Sequence, residues 1–143
     1  MTQKILFLCT GNACRSQMAE GWMRYLSEGR YVADSAGLEA HGKNPRAIQV
    51  MSEAGVDISN QASTKITDEN VNCADVIITV CGHADEHCPT VSANTKKIHM
   101  PFDDPAKATG NEDEILGEFR RVRDEIRQSI VHLIANLDQQ LES

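Results

Sequence analysis

Apolar residues in this chain follow two patterns that take turns along it. Ile5-Leu6-Phe7-Leu8 and Val76-Ile77-Ile78-Thr79-Val80 are unbroken runs. Such runs, bounded by turn residues, read as strands covered on both faces. Elsewhere the apolar positions recur every three or four residues, the spacing of one helix face. The pattern predicts strands over 4–8, 31–34, 76–80 and 97–100, with Ser35-Ala36-Gly37 turning after the second. Helices are predicted over 16–27, stopping near Gly29, and over 45–53, with Asn44 as cap, Pro45 at the first helical position and a stop near Gly55. One more helical turn is expected over 67–70. The clearest helix is the last. Ile115, Phe119, Val122, Ile126, Ile130, Leu133, Leu137 and Leu141 form one stripe, and Asn111 with Glu114 resembles a capping box. Strands alternating with helices imply a single α/β domain over residues 1–143, a four-stranded parallel sheet with helices on both faces. Ligands of such sheets sit beyond the carboxyl ends of the strands, where the strand order reverses.

Composition narrows the class of partner. With 24% charged and 41% hydrophobic residues the chain is ordinary globular protein. A formal net charge of −7 argues against nucleic acid and against an anionic membrane surface, and it obliges any oxyanion site to be locally positive. The run Ile5–Leu8 is too short for a secretory signal and no stretch is long enough to span a bilayer, so a cytoplasmic protein is expected. Cysteines stand at positions 9, 14, 73, 81 and 88. In that setting a structural disulfide framework is not expected, and catalysis, redox exchange and metal binding stay open.

The densest chemistry follows the first strand: Cys9-Thr10-Gly11-Asn12-Ala13-Cys14-Arg15-Ser16. A strand ending in cysteine that turns through five residues into a helix opening at Arg-Ser builds an anion cradle. Loop amides and the helix N-terminus point at the ligand, and the helix dipole adds positive charge. Arg15 offers a planar fork for two oxyanion oxygens. The same field favours thiolate at Cys9. Cys81 follows the third strand and Asp103-Asp104-Pro105 the fourth, so three chemical groups fall on one sheet edge. If strands one and three are neighbours, about 5 Å apart, Cys81 comes within reach of Cys9.

The chain resembles the arsenate reductases of the thioredoxin-coupled class, within the low-molecular-weight protein tyrosine phosphatase superfamily and its flavodoxin-like winding. The likeness lies in Cys9 to Glu20 (CTGNACRSQMAE), Ser35-Ala36-Gly37, His41-Gly42, Asp57-Ile58-Ser59, the segment from Cys81 to Pro89, Phe102-Asp103-Asp104-Pro105-Ala106, and Phe119 to Ile126. It implies arsenate as substrate, bound by Thr10, Gly11, Asn12, Ala13, Cys14, Arg15 and Ser16, with Cys9 as nucleophile. It implies a transient Cys9–Cys81 disulfide, then a Cys81–Cys88 disulfide that thioredoxin reduces, in a monomer serving arsenic detoxification. Ser16 is expected to donate its hydroxyl to the Cys9 thiolate. Asp104, held extended by the following proline, is the candidate proton donor, with Asp103 as its rival. Some relatives hold potassium at positions matching Asn12, Glu20 and Ser35 together with an aspartate; Thr64 stands where that aspartate is expected. Cys14 and Cys73 are expected to be structural or incidental. If residues 82–87 are helical in the reduced protein, Cys81 and Cys88 stand about 10.5 Å apart, beyond disulfide reach, and that segment must unwind when bridged.

Two alternatives use other chemistry. A low-molecular-weight tyrosine phosphatase would use Cys9, Arg15, Ser16 and Asp104 with water in place of Cys81. Yet Ala106-Lys107-Ala108, not tyrosines, follow Asp104-Pro105, so at most a weak phosphatase side activity is expected. A metal-binding sensor would use Cys81, His83, His87 and Cys88, whose spacing is not a standard zinc pattern.

Overall fold

Strand β1 (Lys4–Cys9) is the backbone of the fold, paired on both sides in parallel. The computed structural model describes residues 3–89, 91 and 94–142, apart from the side chains of Leu141 and Glu142. In chain order the other elements are α1 (Arg15–Ser27), β2 (Val32–Gly37), α2 (Pro45–Glu53), α3 (Asp68–Cys73), β3 (Val76–Thr79), α4 (Gly82–Glu86), β4 (Lys96–His99), a single 3-10 turn over Pro105–Lys107, and α5 (Glu112–Glu142). The sheet order is β2-β1-β3-β4. The chain leaves β1 towards β2 and returns past it to β3, so the switch point lies between the carboxyl ends of β1 and β3.

Successive strand residues face opposite sides of a sheet. Ile5, Leu6, Phe7 and Leu8 are all buried, as are Val76, Ile77 and Ile78, so both faces are covered where β1 and β3 run. The edge strand β4 instead exposes Lys96, Lys97 and His99, charge that discourages pairing with another chain. The stripe on α5 buries Phe119, Val122, Ile126, Ile130, Leu133 and Leu137, each contributing about 1.5–3 kcal/mol. Ile115 is only partly buried, and the Leu141 side chain lies outside the described residues. Helix α5 is tied to α1 where the Trp22 indole donates to the Arg123 carbonyl at 3.1 Å, and to α2 where Arg123 donates to the Val50 carbonyl at 2.9 Å. Asn111 caps α5 by accepting from the Glu114 amide at 2.9 Å.

The structure departs from the sequence reading in two elements. Strand β2 continues through Ser35-Ala36-Gly37, paired with Phe7, Leu8 and Cys9, where a turn was expected. Helix α3 runs on to Cys73 rather than stopping at Asn70, with Thr67 and Asn70 closing a capping box at its start.

Candidate active site

The loop between β1 and α1 is wrapped from outside. Leu38, Glu39, His41 and Asn44 donate their amides to the carbonyls of Cys9, Thr10, Gly11 and Ala13, at 3.1, 2.9, 2.9 and 3.3 Å. The Asn12 carbonyl takes the Gln17 amide at 3.1 Å and the Cys14 carbonyl takes Met18 N–H at 2.9 Å. With its carbonyls turned outward, the loop leaves the N–H groups of Gly11, Ala13 and Cys14 without a protein acceptor among the described residues. Asn12 adopts a left-handed conformation (φ 50°), which asparagine tolerates, and its N–H reaches the Cys9 sulfur at 3.1 Å. Gly37 makes the wrapping feasible. A Cβ there would sit 2.3 Å from the Glu39 carbonyl and 2.8 Å from both Asn12 N and Thr10 O, all backbone atoms that cannot step aside.

Cys9 is buried at the floor of a cavity of about 520 Å³ beyond the strand ends. Its sulfur lies 2.8 Å from the Ser16 hydroxyl. Arg15 and Asp104 stand on the same cavity, 3.6 Å apart, and Arg15 is steadied by the Phe102 carbonyl at 3.1 Å. The sequence left Asp103 and Asp104 as rivals. Asp103 is exposed and pairs with Arg121 at 3.1 Å, away from the cavity, whereas Asp104 faces the cradle, held by the Ala106 amide at 3.0 Å.

Cys81 also lines the cavity. Leu8 pairs with Thr79 and Val80 N–H donates to the Leu8 carbonyl, so Cys81 lies beside Thr10, with sulfur and hydroxyl 3.4 Å apart. Cys81 is in addition the N-cap of α4, its sulfur accepting from Ala84 N–H at 3.4 Å. Cys88 follows α4, half-buried and outside the cavity, and burial pushes its thiol above the ordinary range. All five cysteines are free. Cys14 is pushed up to about 12, by burial first and then by the negative groups at Asp104 and Cys9, so it stays a thiol and does not compete as nucleophile. Cys73 is exposed and remote from the cavity lining.

Of the residues matched to a potassium site, Glu20 and Ser35 are in direct contact, and Asn12 is bonded elsewhere in the same buried network. The Ser35 hydroxyl donates to Glu20 at 2.6 Å, while the other Glu20 oxygen is taken by the Arg24 guanidinium. Asn12 Oδ1 already accepts from Thr64 N–H at 2.8 Å and from Gln17 at 3.2 Å. Asn12 Oδ1 and one Glu20 oxygen thus face N–H donors, and Arg24 places a positive charge beside the Glu20 carboxylate. The Cys81, His83, His87 and Cys88 set does not converge. The two imidazoles stack at 4.4 Å, His87 Nδ1 donates to the His83 carbonyl, and no three metal-ligating side chains converge among the described residues. A larger cavity, about 750 Å³ between β4 and the end of α5, holds no cysteine and no carboxylate. No helix among the described residues is long and apolar enough to cross a membrane.

Sequence reasoning missed Gln17, Gln61 and Arg24, which back the cradle, and His41, whose ring packs on Gly11. For Gln17 the signal was present: it lies three residues before Glu20 on the buried side of α1.

The family profile described as low molecular weight phosphotyrosine protein phosphatase matches residues 4–143. An arsenate reductase of Halalkalibacterium halodurans is 52% identical over 132 residues, 91% of this chain and 94% of its own. The arsenate reductase of Bacillus subtilis is 51% identical over 127 residues, covering 88% and 91%. Among solved structures, an arsenate reductase in the phosphate-binding state superposes with a TM-score of 0.75 at 35% identity, over 94% of this chain and 98% of that one.

Proposed function

Because this chain belongs to the low-molecular-weight phosphotyrosine protein phosphatase family, we propose, from the two thiols that face its oxyanion cradle, that it is an arsenate reductase working by a three-thiol relay. The relatives that bear that name are half identical over about nine-tenths of the chain. The observation that carries the reading is Cys81 on the cavity of Cys9, beside Thr10, where a hydrolase needs only water.

Arsenate enters the cradle with its oxygens on Arg15 and on the N–H groups of Gly11, Ala13 and Cys14. The Cys9 thiolate attacks arsenic, and one arsenate hydroxyl takes a proton from Asp104 and leaves as water. The Cys81 thiolate then attacks the Cys9 sulfur. The sulfur–arsenic bond breaks with its electron pair left on arsenic, which passes from the +5 to the +3 state and departs as arsenite, and a Cys9–Cys81 disulfide remains. Cys88 attacks Cys81, and Cys9 is released as thiolate. One arsenate and two thiols thus become arsenite, water and a Cys81–Cys88 disulfide. Thioredoxin, a dithiol reductant, suits that product, and free working thiols suit a reducing cytoplasm.

The last exchange requires α4 to open, and its construction supports this. Five residues are too few to be helical on their own strength. The cap of α4 is the Cys81 sulfur itself, so tying Cys81 into a disulfide draws that acceptor away from Ala84 N–H. Opening also frees Cys88 from the burial that holds it as a thiol.

Arsenate-dependent consumption of reductant, with thioredoxin and its reductase supplied, tests the proposal. Turnover is expected, with weak hydrolysis of an aryl phosphate as a side activity. Aryl phosphate hydrolysis without arsenate turnover would make the protein a phosphatase. In the same assay Asp104→Asn is expected to lose about 10²- to 10³-fold in kcat, and Asp103→Asn to stay near wild type. Equal losses would remove Asp104 as proton donor.

A further inference from the structure

The buried polar side chains of this protein are concentrated behind the cradle. Among the described residues Asn12, Ser16, Gln17, Glu20, Ser35 and Gln61 form one connected network, and only Ser27 and Thr79 lie outside it. Within it a single path runs from Arg24 to the nucleophile. Arg24 donates to Gln61 Oε1 at 2.9 Å, Gln61 Nε2 to Gln17 Oε1 at 2.8 Å, and Gln17 Nε2 to Asn12 Oδ1 at 3.2 Å. Asn12 Nδ2 donates to the Ser16 hydroxyl at 2.8 Å, and that hydroxyl lies 2.8 Å from the Cys9 sulfur.

The direction of every link is fixed by a group that can act in only one way. A guanidinium only donates, so the oxygen of Gln61 faces Arg24 and its nitrogen faces Gln17. The Gln17 nitrogen sits on two carbonyls, those of Ala62 at 2.8 Å and Asn12 at 3.1 Å, which only accept. The Asn12 oxygen meets Thr64 N–H at 2.8 Å, a pure donor, so its nitrogen faces Ser16. Ser16 accepts from Asn12, and its one hydrogen is left for Cys9.

We propose that Arg24 and Gln61 are positioning residues for the nucleophile: through Gln17 and Asn12 they hold the Ser16 hydroxyl with its hydrogen on the Cys9 sulfur. This rests on Cys9 being the nucleophile, as argued above. Aligned links polarise one another, and a hydrogen bond to the charged form of an acid favours that form. A relay headed by a guanidinium and ending on sulfur therefore favours attack by thiolate, although Arg24 never touches substrate.

The test is the pH profile of Cys9 alkylation, read by mass spectrometry of the Cys9 peptide, together with thermal melting. Gln61→Glu keeps the size and the Arg24 contact but turns an acceptor towards Gln17. Arg24→Met removes the head of the relay and also the partner of the buried Glu20 carboxylate, which is why melting is read beside the profile. Both are expected to move the alkylation midpoint to higher pH and to slow alkylation below neutrality by about three- to tenfold, with Arg24→Lys recovering most of the rate. A lowered melting temperature with an unmoved profile in both variants would overturn the relay and leave these residues purely structural. A wild-type Cys9 no more reactive than the exposed Cys73 would instead overturn the nucleophile assignment, and the relay with it.

Discussion

Arsenate turnover is expected to fall by at least about a thousandfold in Cys9→Ser, with oxyanion binding retained. The cradle is made by backbone groups and Arg15, and the outside amides that shape it do not depend on the sulfur. A serine hydroxyl keeps the Asn12 and Ser16 contacts in kind but lacks the nucleophilicity of a thiolate. It also cannot form the disulfide that takes the two electrons. The same variant loses the side activity on aryl phosphates. Equilibrium binding of phosphate measured beside turnover checks both halves. A loss of binding equal to the loss of turnover would show Cys9 to be part of the cradle and not its nucleophile.

The second large effect separates the other two thiols by stage. In Cys88→Ser the first turnover is expected to proceed and later ones to stop, because arsenite leaves before Cys88 acts. In Cys81→Ser even the first turnover stops, since nothing attacks the Cys9 adduct. Both variants are expected to keep the aryl phosphatase side activity, which needs only Cys9, Arg15 and Asp104. Rapid-quench measurement of arsenite per enzyme tests this: about one equivalent from Cys88→Ser and none from Cys81→Ser. Sustained cycling by Cys88→Ser with thioredoxin would break the order of steps.

These expectations reach back to a sequence in which much of the site was legible. Cys9 to Ser16 could be read because strand, loop and helix start are contiguous, and the cradle is a local structure. Cys81 and Asp104 could be placed because a parallel sheet collects strand ends on one edge. Helix α4 had no periodicity to reveal it. Its formation depends on the Cys81 cap and on Asp85, which accepts from Thr79 at 3.1 Å and pairs with Lys97 at 3.3 Å, contacts set by the sheet and not by neighbours in sequence. Ser35-Ala36-Gly37 read as a turn because small residues favour turns. In the fold they are small for another reason, Ser35 sealing Glu20 and Gly37 admitting the backbone of the loop. Gln17 and Gln61 stand 44 residues apart, and only tertiary packing makes them a pair. The proline that follows Asp104 favours it over Asp103, but the Arg121 that pairs with Asp103 lies 18 residues on and could not be read from the sequence.

The central claim is that oxidising equivalents travel from arsenic through Cys9 and Cys81 to Cys88. The most direct measurement is disulfide mapping by mass spectrometry on wild-type protein exposed to arsenate without thioredoxin, quenched by alkylation. A bridge joining residues 81 and 88, with Cys9 recovered in alkylated form, is the predicted result. Protein that has released arsenite yet carries no bond between those two cysteines would contradict the account.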